Sequence, residues 1–107
     1  MKIINETRFF GMLGFAMRAG KVEVGVDVVC SLMPKGTVKL VIIASDASDA
    51  TREKIRKKCD FYNIEFIEPE LDSEILSRRL GKMSTTVCVA IKDEAFKGEI
   101  LRTLEEQ

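Results

Sequence analysis

The sequence predicts an α/β fold, a three-layer α/β/α sandwich in which a mixed four-stranded sheet lies between two layers of helices. Segments with the period of an amphipathic helix alternate with short β-branched runs along the whole chain. The runs 38–44 and 86–91 are too apolar to have a solvated face, which is typical of buried strands. A length of 107 residues and a hydrophobic content of 46% indicate a single domain, 1–107.

The beginning of the chain predicts a helix, a strand and a second helix. Apolar side chains recur at three- and four-residue spacing over 6–18, and the cation and glycine of 18–20 end this amphipathic helix. Residues 22–24 alternate in polarity as a short strand does. Gly25 then begins a second helix, which extends through Met33 and ends at the following proline and glycine.

The middle of the chain predicts two strands around a third helix. The strand 38–44 leads into a turn rich in serine and aspartate, where Ser48 is the best N-cap for the helix. This helix directs Ile55 and Cys59 inward, and the next strand covers 64–67.

The last part of the chain predicts two helices that flank the strand 86–91. Asp72 or Ser73 caps the first of them, which Gly81 ends. Asp93 caps the second. Apolar side chains of this last helix are in line at four-residue spacing: Phe96, Ile100 and Leu104.

Composition excludes several classes of protein. Histidine is absent, which removes the usual general base and the usual partner of a nucleophilic serine or cysteine. Lys+Arg and Asp+Glu both number 17, so any site for nucleic acid must be a local patch.

The three widely spaced cysteines are best explained as small buried hydrophobic residues. No run is apolar enough to span a membrane and residues 1–7 lack a signal core, so we expect a cytoplasmic protein without membrane contact.

Two other patterns are better explained by structure than by chemistry. Gly11 and Gly14 lie inside a predicted helix, so they form no nucleotide-binding loop, and close helix packing is the preferred explanation. Asp46, Asp49 and Glu53 are candidate metal ligands, but carboxylates at a helix start are stabilised by the helix dipole alone. We therefore expect no metal and no cofactor.

Two segments are candidates for binding. A strand runs into Gly25 at the start of a helix, where unpaired backbone N–H groups and the missing side chain let a phosphate or a sugar approach closely. An ordinary strand-to-helix turn remains the alternative. The basic set Arg78, Arg79 and Lys82 precedes a polar loop, although cations at a helix end also serve only to offset its dipole.

An ordered series of motifs spans nearly the whole chain. It comprises LGFAMRAGK at 13–21 with Gly25, KLVIIASDAS at 39–48, KKCDFYNI at 57–64, LGK at 80–82 and VAIKDEAF at 89–96. On these residues the chain resembles the ribosomal protein L7Ae/L30e family, and most closely its bacterial L7Ae-like branch. The resemblance implies an L30e-like fold and a non-catalytic, monomeric protein of translation. It implies kink-turn or ribosomal RNA as the ligand, in a ribonucleoprotein, with the ribosome as a candidate partner.

The resemblance also implies where the RNA lies. The glycine turn and the start of the second helix would approach sheared G·A pairs, and the loop after the fourth helix would hold extruded bases, as expected for proteins that recognise RNA by shape and exposed bases. The implied contact residues are Lys21, Gly25, Val26, Asp27, Val28, Ser31, Ser45, Asp46, Ser48, Arg52, Lys82, Met83, Ser84 and Thr85.

Three positions depart from the family pattern. Asp27 stands where archetypal members have asparagine, Val28 where they have glutamate and Ser31 where they have lysine. Asp27 can still accept a hydrogen bond from guanine, whereas Val28 offers none and Ser31 lacks the cation. Two interpretations stay open: kink-turn binding, or a protein-interaction module of the translation machinery in which Val26 and Val28 form an apolar docking surface. An enzyme that uses Cys30 or the Asp46 cluster is not expected.

Overall fold

A mixed sheet with helices on both faces forms the centre of the structure, a computed structural model that describes residues 3–105. The strands are β1 (Ile3–Ile4), β2 (Val22–Val24), β3 (Leu40–Ile43), β4 (Glu65–Ile67), β5 (Cys88–Ile91) and β6 (Leu104–Glu105). The helices are α1 (Glu6–Arg18), α2 (Val26–Leu32), α3 (Asp49–Tyr62), α4 (Ser73–Arg79) and α5 (Glu94–Leu101), with a 3₁₀ turn at Met33–Lys35.

The four-stranded sheet has the order β2-β5-β3-β4, and β1 pairs with β6 in a separate two-stranded sheet. β3 and β4 are parallel, whereas β5 is antiparallel to both of its neighbours, so the sheet is mixed as predicted. Antiparallel pairing of Val24 with Val89 and of Ile43 with Cys88 brings the ends of β2 and β3 beside the start of β5.

The two faces of the sheet belong to two separate cores. Along β3, Leu40 and Ile42 pack with the side chains of α1, α4 and α5, whereas Val41 and Ile43 pack with those of α2 and α3. Successive residues of a strand point to opposite faces, so an apolar run without alternation fills both cores. This arrangement confirms the predicted three-layer sandwich.

Most helix boundaries follow from capping residues. The predicted N-caps Ser48 and Asp93 are confirmed, since each side chain accepts a hydrogen bond from a backbone N–H in the first turn of its helix. For α4 the cap is Asp72 and not Ser73. Within residues 3–105, no helix combines the length and the apolar character that a membrane span requires.

Two predicted helix ends are wrong. The second helix ends at Leu32 and not at Met33, because the chain continues into a 3₁₀ turn whose first positions tolerate Pro34. Leu104 lies in β6 and not in the last helix. Both the N–H and the hydroxyl of Thr103 bond to the carbonyl of Ile100, which turns the chain toward its pairing with β1.

Close helix packing does not explain the glycines of α1. A Cβ at Gly11 would meet nothing within 4 Å, and one at Gly14 would meet only the mobile end of Arg18, at 3.7 Å. The prediction for these two positions is therefore wrong, and nothing in the structure explains the glycines there.

Candidate nucleic-acid interface

Three predicted segments meet at one end of the sheet, which we call the glycine end: the turn at Gly25, the turn between β3 and α3, and the loop between α4 and β5. The N–H of Gly25 donates to the carbonyl of Cys88 at 2.9 Å, and the N–H of Ala44 donates to that of Val87 at 2.9 Å. Backbone hydrogen bonds therefore fix the three segments relative to one another. The sequence pattern alone did not establish this proximity.

Gly25 is required by the backbone conformation of its turn. Its φ of 106° lies in a region that L side chains rarely adopt, although a Cβ there would meet nothing within 4 Å. Its carbonyl accepts the hydrogen bond from Val29 that begins α2, and no side chain caps this helix. The start of α2 therefore presents backbone to its surroundings.

The outer face of α2 carries the three residues that depart from the family pattern. The Asp27 side chain is fully exposed, and Val28 is 45% exposed, so Val28 faces outward and not into the core. The hydroxyl of Ser31 donates to the carbonyl of Val28 at 2.7 Å. This face thus offers one carboxylate and an apolar side chain, while partly buried Val26 packs against the core beneath it.

Asp46 links the β3–α3 turn to α4. Its Oδ1 accepts from the N–H of Ser73 at 2.8 Å, and its Oδ2 accepts from the hydroxyl of Ser73 at 2.7 Å. The hydroxyl bond from Ser73, opposed by a smaller desolvation effect, lowers the pKa of the Asp46 carboxyl. The carboxylate is therefore engaged in a structural contact.

A second hydrogen-bonded step continues from Ser73 to the loop between α4 and β5. The hydroxyl of Ser77 donates to the carbonyl of Ser73 at 2.6 Å and accepts from the N–H of Thr86 at 2.7 Å. All three of these residues are buried. The resulting chain of hydrogen bonds, from Asp46 through Ser73 and Ser77 to Thr86, holds both predicted RNA loops, and we call it the serine relay.

Arg52 is turned toward the protein. Its Nη2 donates to the carbonyl of Ser45 at 2.8 Å, its Nε lies 3.9 Å from a Glu68 oxygen, and its side chain is 22% exposed. Ser48 uses its hydroxyl to cap α3 and to donate to Thr51 at 3.0 Å. These predicted site residues shape the β3–α3 turn, and their side chains are committed to contacts within it.

The loop between α4 and β5 forms one wall of a surface cavity of about 400 Å³. Met83 is fully exposed on this loop. The residues that line the cavity come from α4 and the loop: Ser73, Glu74, Ser77, Arg78, Lys82, Met83, Ser84 and Thr85.

Lys21 does not lie at the glycine end. It precedes β2, at the strand's other end, where its carbonyl accepts a hydrogen bond from the N–H of Lys92 at 2.8 Å. Lys21 and Gly25 are four steps apart along extended chain, which corresponds to about 13 Å.

Sequence reasoning missed the serine relay and Lys54. Ser73 and Ser77 are four residues apart on the inner side of α4. This spacing could have indicated that the two serines share one buried face of the helix. Lys54 of α3 lies 3.9 Å from Asp27 of α2, a proximity that only the packing of the two helices creates.

No arrangement for nucleophilic or metal chemistry is present among the described residues. Cys30, Cys59 and Cys88 are free and buried, as predicted. Burial raises the pKa of the Cys59 and Cys88 thiols to about 12, which keeps them protonated. In residues 3–105, no group of three His, Cys, Asp or Glu side chains could hold a metal ion.

Comparison with known proteins gives one family. Residues 7–101 match the model of the ribosomal protein L7Ae/L30e/S12e/Gadd45 family. The chain is 34% identical over 97 residues to RNA-binding protein YlxQ of Bacillus subtilis (strain 168), covering 91% of this chain and 95% of that protein. It is 31% identical over 78 residues to RNA-binding protein YlxQ of Enterococcus faecium, covering 73% and 75% of the two chains.

Two solved structures share the fold. A protein of unknown function from Bacillus halodurans C superimposes with a TM-score of 0.81 at 30% identity, covering 90% of this chain and 95% of that one. The 15.5 kDa RNA-binding protein of Giardia lamblia superimposes with a TM-score of 0.73 at 16% identity, covering 92% and 82%.

Proposed function

This chain belongs to the ribosomal protein L7Ae/L30e/S12e/Gadd45 family, and we propose that it binds structured RNA of the kink-turn type through the glycine end of its sheet. The convergence of the Gly25 turn, the β3–α3 turn and the α4–β5 loop is the observation that carries this proposal. Relatives named as RNA-binding proteins support RNA as the ligand. Within the proposal, the protein acts as a monomer in the cytoplasm, and ribosomal RNA on the ribosome is a candidate target.

The turn at Gly25 supplies the surface that lies against the G·A pairs. Its backbone approaches the RNA without an intervening side chain, and Asp27 accepts a hydrogen bond from a guanine amino or imino group. Val28 contributes apolar contact, partly buried Val26 adds what remains accessible of its side chain, and exposed Ser31 lies at the outer margin of this surface. Recognition at α2 thus relies on shape more than on charge.

The cavity beside the α4–β5 loop accommodates an extruded base in this proposal. The exposed thioether of Met83 offers a polarisable surface on which a base can pack, and Ser84 and Thr85 offer hydroxyl groups. Lys82 supplies a cation for a neighbouring phosphate. The serine relay holds this loop in place before RNA arrives, which reduces the entropy lost on binding.

The remaining residues of the proposed interface have different roles. Ser45 and Ser48 present the backbone of the β3–α3 turn to the RNA, while Asp46 and Arg52 act by holding that turn in shape. Lys21, at the other end of β2, reaches only RNA that extends past the glycine end.

Titration with two RNAs tests the proposal. One is a consensus kink-turn, and the other has its G·A pairs replaced by Watson–Crick pairs. Preferential binding of the first, weakened by salt and by Asp27→Ala, supports kink-turn recognition. Equal affinity for both RNAs overturns it.

Exposure of Val28 favours a second candidate, a protein-interaction module of the translation machinery in which Val26 and Val28 belong to the docking surface. A ribosomal protein partner that protects Val28 from solvent and does not respond to Asp27→Ala would support this function in place of RNA recognition.

A further inference from the structure

The exposed face of α3 carries an aromatic side chain that has no role in the core. Phe61 is 80% exposed in the last turn of the helix. Its ring meets that of Tyr62 edge to face, with centroids 4.8 Å apart and an interplanar angle of 84°. The contact limits the motion of the Phe61 ring and leaves much of the ring accessible.

Lysines continue this face toward the glycine end. Lys54, Lys57 and Lys58 precede Phe61 by seven, four and three residues, a spacing that places all four side chains on one side of a helix. No ion pair joins Lys57 or Lys58 to a carboxylate within residues 3–105, whereas Arg52 and Arg56 of the same helix turn toward Glu68. We call these four residues the α3 strip.

The α3 strip is continuous with the proposed binding surface on α2. The ammonium of Lys54 lies 3.9 Å from the carboxylate of Asp27, and both groups are at least half exposed. Ser31 leaves α2 without a cation near this point. Lys54 therefore places positive charge, from the neighbouring helix, beside the part of α2 that lacks it.

We propose that the α3 strip binds a single-stranded RNA segment that continues from the structured element held at the glycine end, with the lysines on phosphates and Phe61 stacked on an unpaired base. This proposal rests on the proposed function. Lysines with an exposed aromatic ring match a single strand, because stacking needs an unstacked base and the closed A-form groove does not admit side chains. From Lys54 to Phe61 the strip is about 10 Å long.

The experiment measures how much a single-stranded extension strengthens binding. A consensus kink-turn RNA is titrated alone and with a ten-nucleotide unpaired extension, placed on either end of either strand in separate RNAs, and a free ten-nucleotide strand is titrated alongside. For the wild-type chain we expect one of the extended RNAs to bind about fivefold or more tightly than the unextended RNA, the gain that one stacked base typically gives.

Matched variants separate the strip from the rest of the surface. Phe61→Ala is expected to remove most of the gain, and Lys57→Gln to lower the salt slope of the extended RNA by about 0.7 while leaving that of the unextended RNA unchanged. Phe15→Ala and Arg18→Gln are controls, because Phe15 is also exposed and Arg18 lies over its ring on α1, in the other helical layer. These controls should retain the full gain.

The outcomes distinguish the two proposals. Equal binding of the intact and the G·A-disrupted kink-turn overturns the proposed function whatever the extension does. The proposal for the α3 strip is overturned if no extension changes the affinity, or if the gain survives Phe61→Ala. If no kink-turn RNA binds, the free strand alone tests the strip, and its failure to bind also overturns the proposal. Circular dichroism of each variant shows whether the fold is retained.

Discussion

The two ends of the sheet carry surface cavities of similar size but different chemistry. At the glycine end the cavity is about 400 Å³, and at the opposite end another of about 460 Å³ lies between Lys39, Tyr62, Glu65 and Lys97. At the opposite end the ammonium of Lys97 lies 3.2 Å from Glu65 and 3.9 Å from Glu94. At the glycine end Arg78 is paired with Glu74 at 3.0 Å, whereas no ion pair joins Lys82 to a carboxylate within residues 3–105.

The loops at the two ends also differ in how they are held. At the glycine end the buried serine relay and the bonds from Gly25 and Ala44 fix three segments together. At the opposite end backbone bonds also join segments, since the N–H of Lys39 donates to the carbonyl of Ile91 and that of Lys92 to the carbonyl of Lys21, both at 2.8 Å. The Lys39 ammonium, however, bonds within its own exposed turn, to the carbonyl of Gly36 at 3.2 Å. The buried serine relay, and not cavity size, therefore distinguishes the end that we propose for RNA.

Replacing one glycine at each end tests this contrast most severely. We expect Gly25→Ala to lower the free energy of unfolding by about 1–3 kcal/mol and to abolish selective RNA binding, because its φ of 106° is strained for any L side chain. Gly36→Ala, at a φ of 77°, should cost about 1–2 kcal/mol and leave RNA affinity unchanged. Urea unfolding and RNA titration measure both effects, and equal loss of RNA binding in the two variants would contradict the contrast.

Removal of a relay hydroxyl tests whether the fixed backbone matters for binding. Ser77→Ala leaves the buried N–H of Thr86 without its acceptor, so we expect a loss of about 1–3 kcal/mol in the free energy of unfolding and weaker RNA binding. Thr103→Ala is the matched control, because its buried hydroxyl donates to the carbonyl of Ile100, away from the serine relay. It should lower stability without changing the RNA affinity measured for the folded fraction. A Ser77→Ala protein that binds RNA as tightly as the wild-type chain would separate the relay from function.

Neutralising one cation at each end tests the role of charge. We expect Lys82→Gln to reduce the slope of log Kd against log salt concentration by about one unit, as the loss of one phosphate contact does. Lys97→Gln removes a cation already paired with Glu65 and Glu94, so the slope should not change. Fluorescence titration at three or more salt concentrations gives both slopes. Identical slopes for Lys82→Gln and the wild-type chain would remove Lys82 from the contact surface.

The smallest expected effect is the dependence of stability on the ionisation of Asp46. Because the bond from Ser73 lowers its pKa in the folded chain, its stabilisation is present above the unfolded pKa and is lost as the pH falls through the folded value. The difference in unfolding free energy between wild type and Asp46→Asn should therefore shrink between neutral pH and about pH 3. In a Ser73→Ala background the difference should be smaller at every pH. A constant difference across this range would contradict the role assigned to Asp46.

Local chemistry made much of the fold predictable. The stripe of α1 and its end just before Gly20, the caps Ser48 and Asp93, and the glycine at the start of α2 all act within a few residues, so the sequence displays them directly. The alternation of helical and strand patterns likewise predicted the three layers. The family resemblance named residues from three separate segments, and the structure brings these segments together at the glycine end.

Long-range contacts account for what was missed. Leu104 follows the helical spacing of α5, yet pairing with β1 places it in a strand. Arg52 has the sequence context of an exposed cation but turns inward to Ser45. The bond between Asp46 and Ser73, 27 residues away in the chain, was likewise not visible in the sequence.

The order and type of the main elements, the apolar runs that fill the two cores and the glycine at the start of α2 could all be recognised from the amino-acid sequence. The packing of the folded chain was needed to show that the three segments of the glycine end are neighbours, that Lys54 lies beside Asp27, and that Val28 faces outward. The physical reason is the distance along the chain between the residues that interact. Helix periods and caps arise from residues within a turn of one another, whereas the pairing of strands and the packing of helices join residues far apart in the chain.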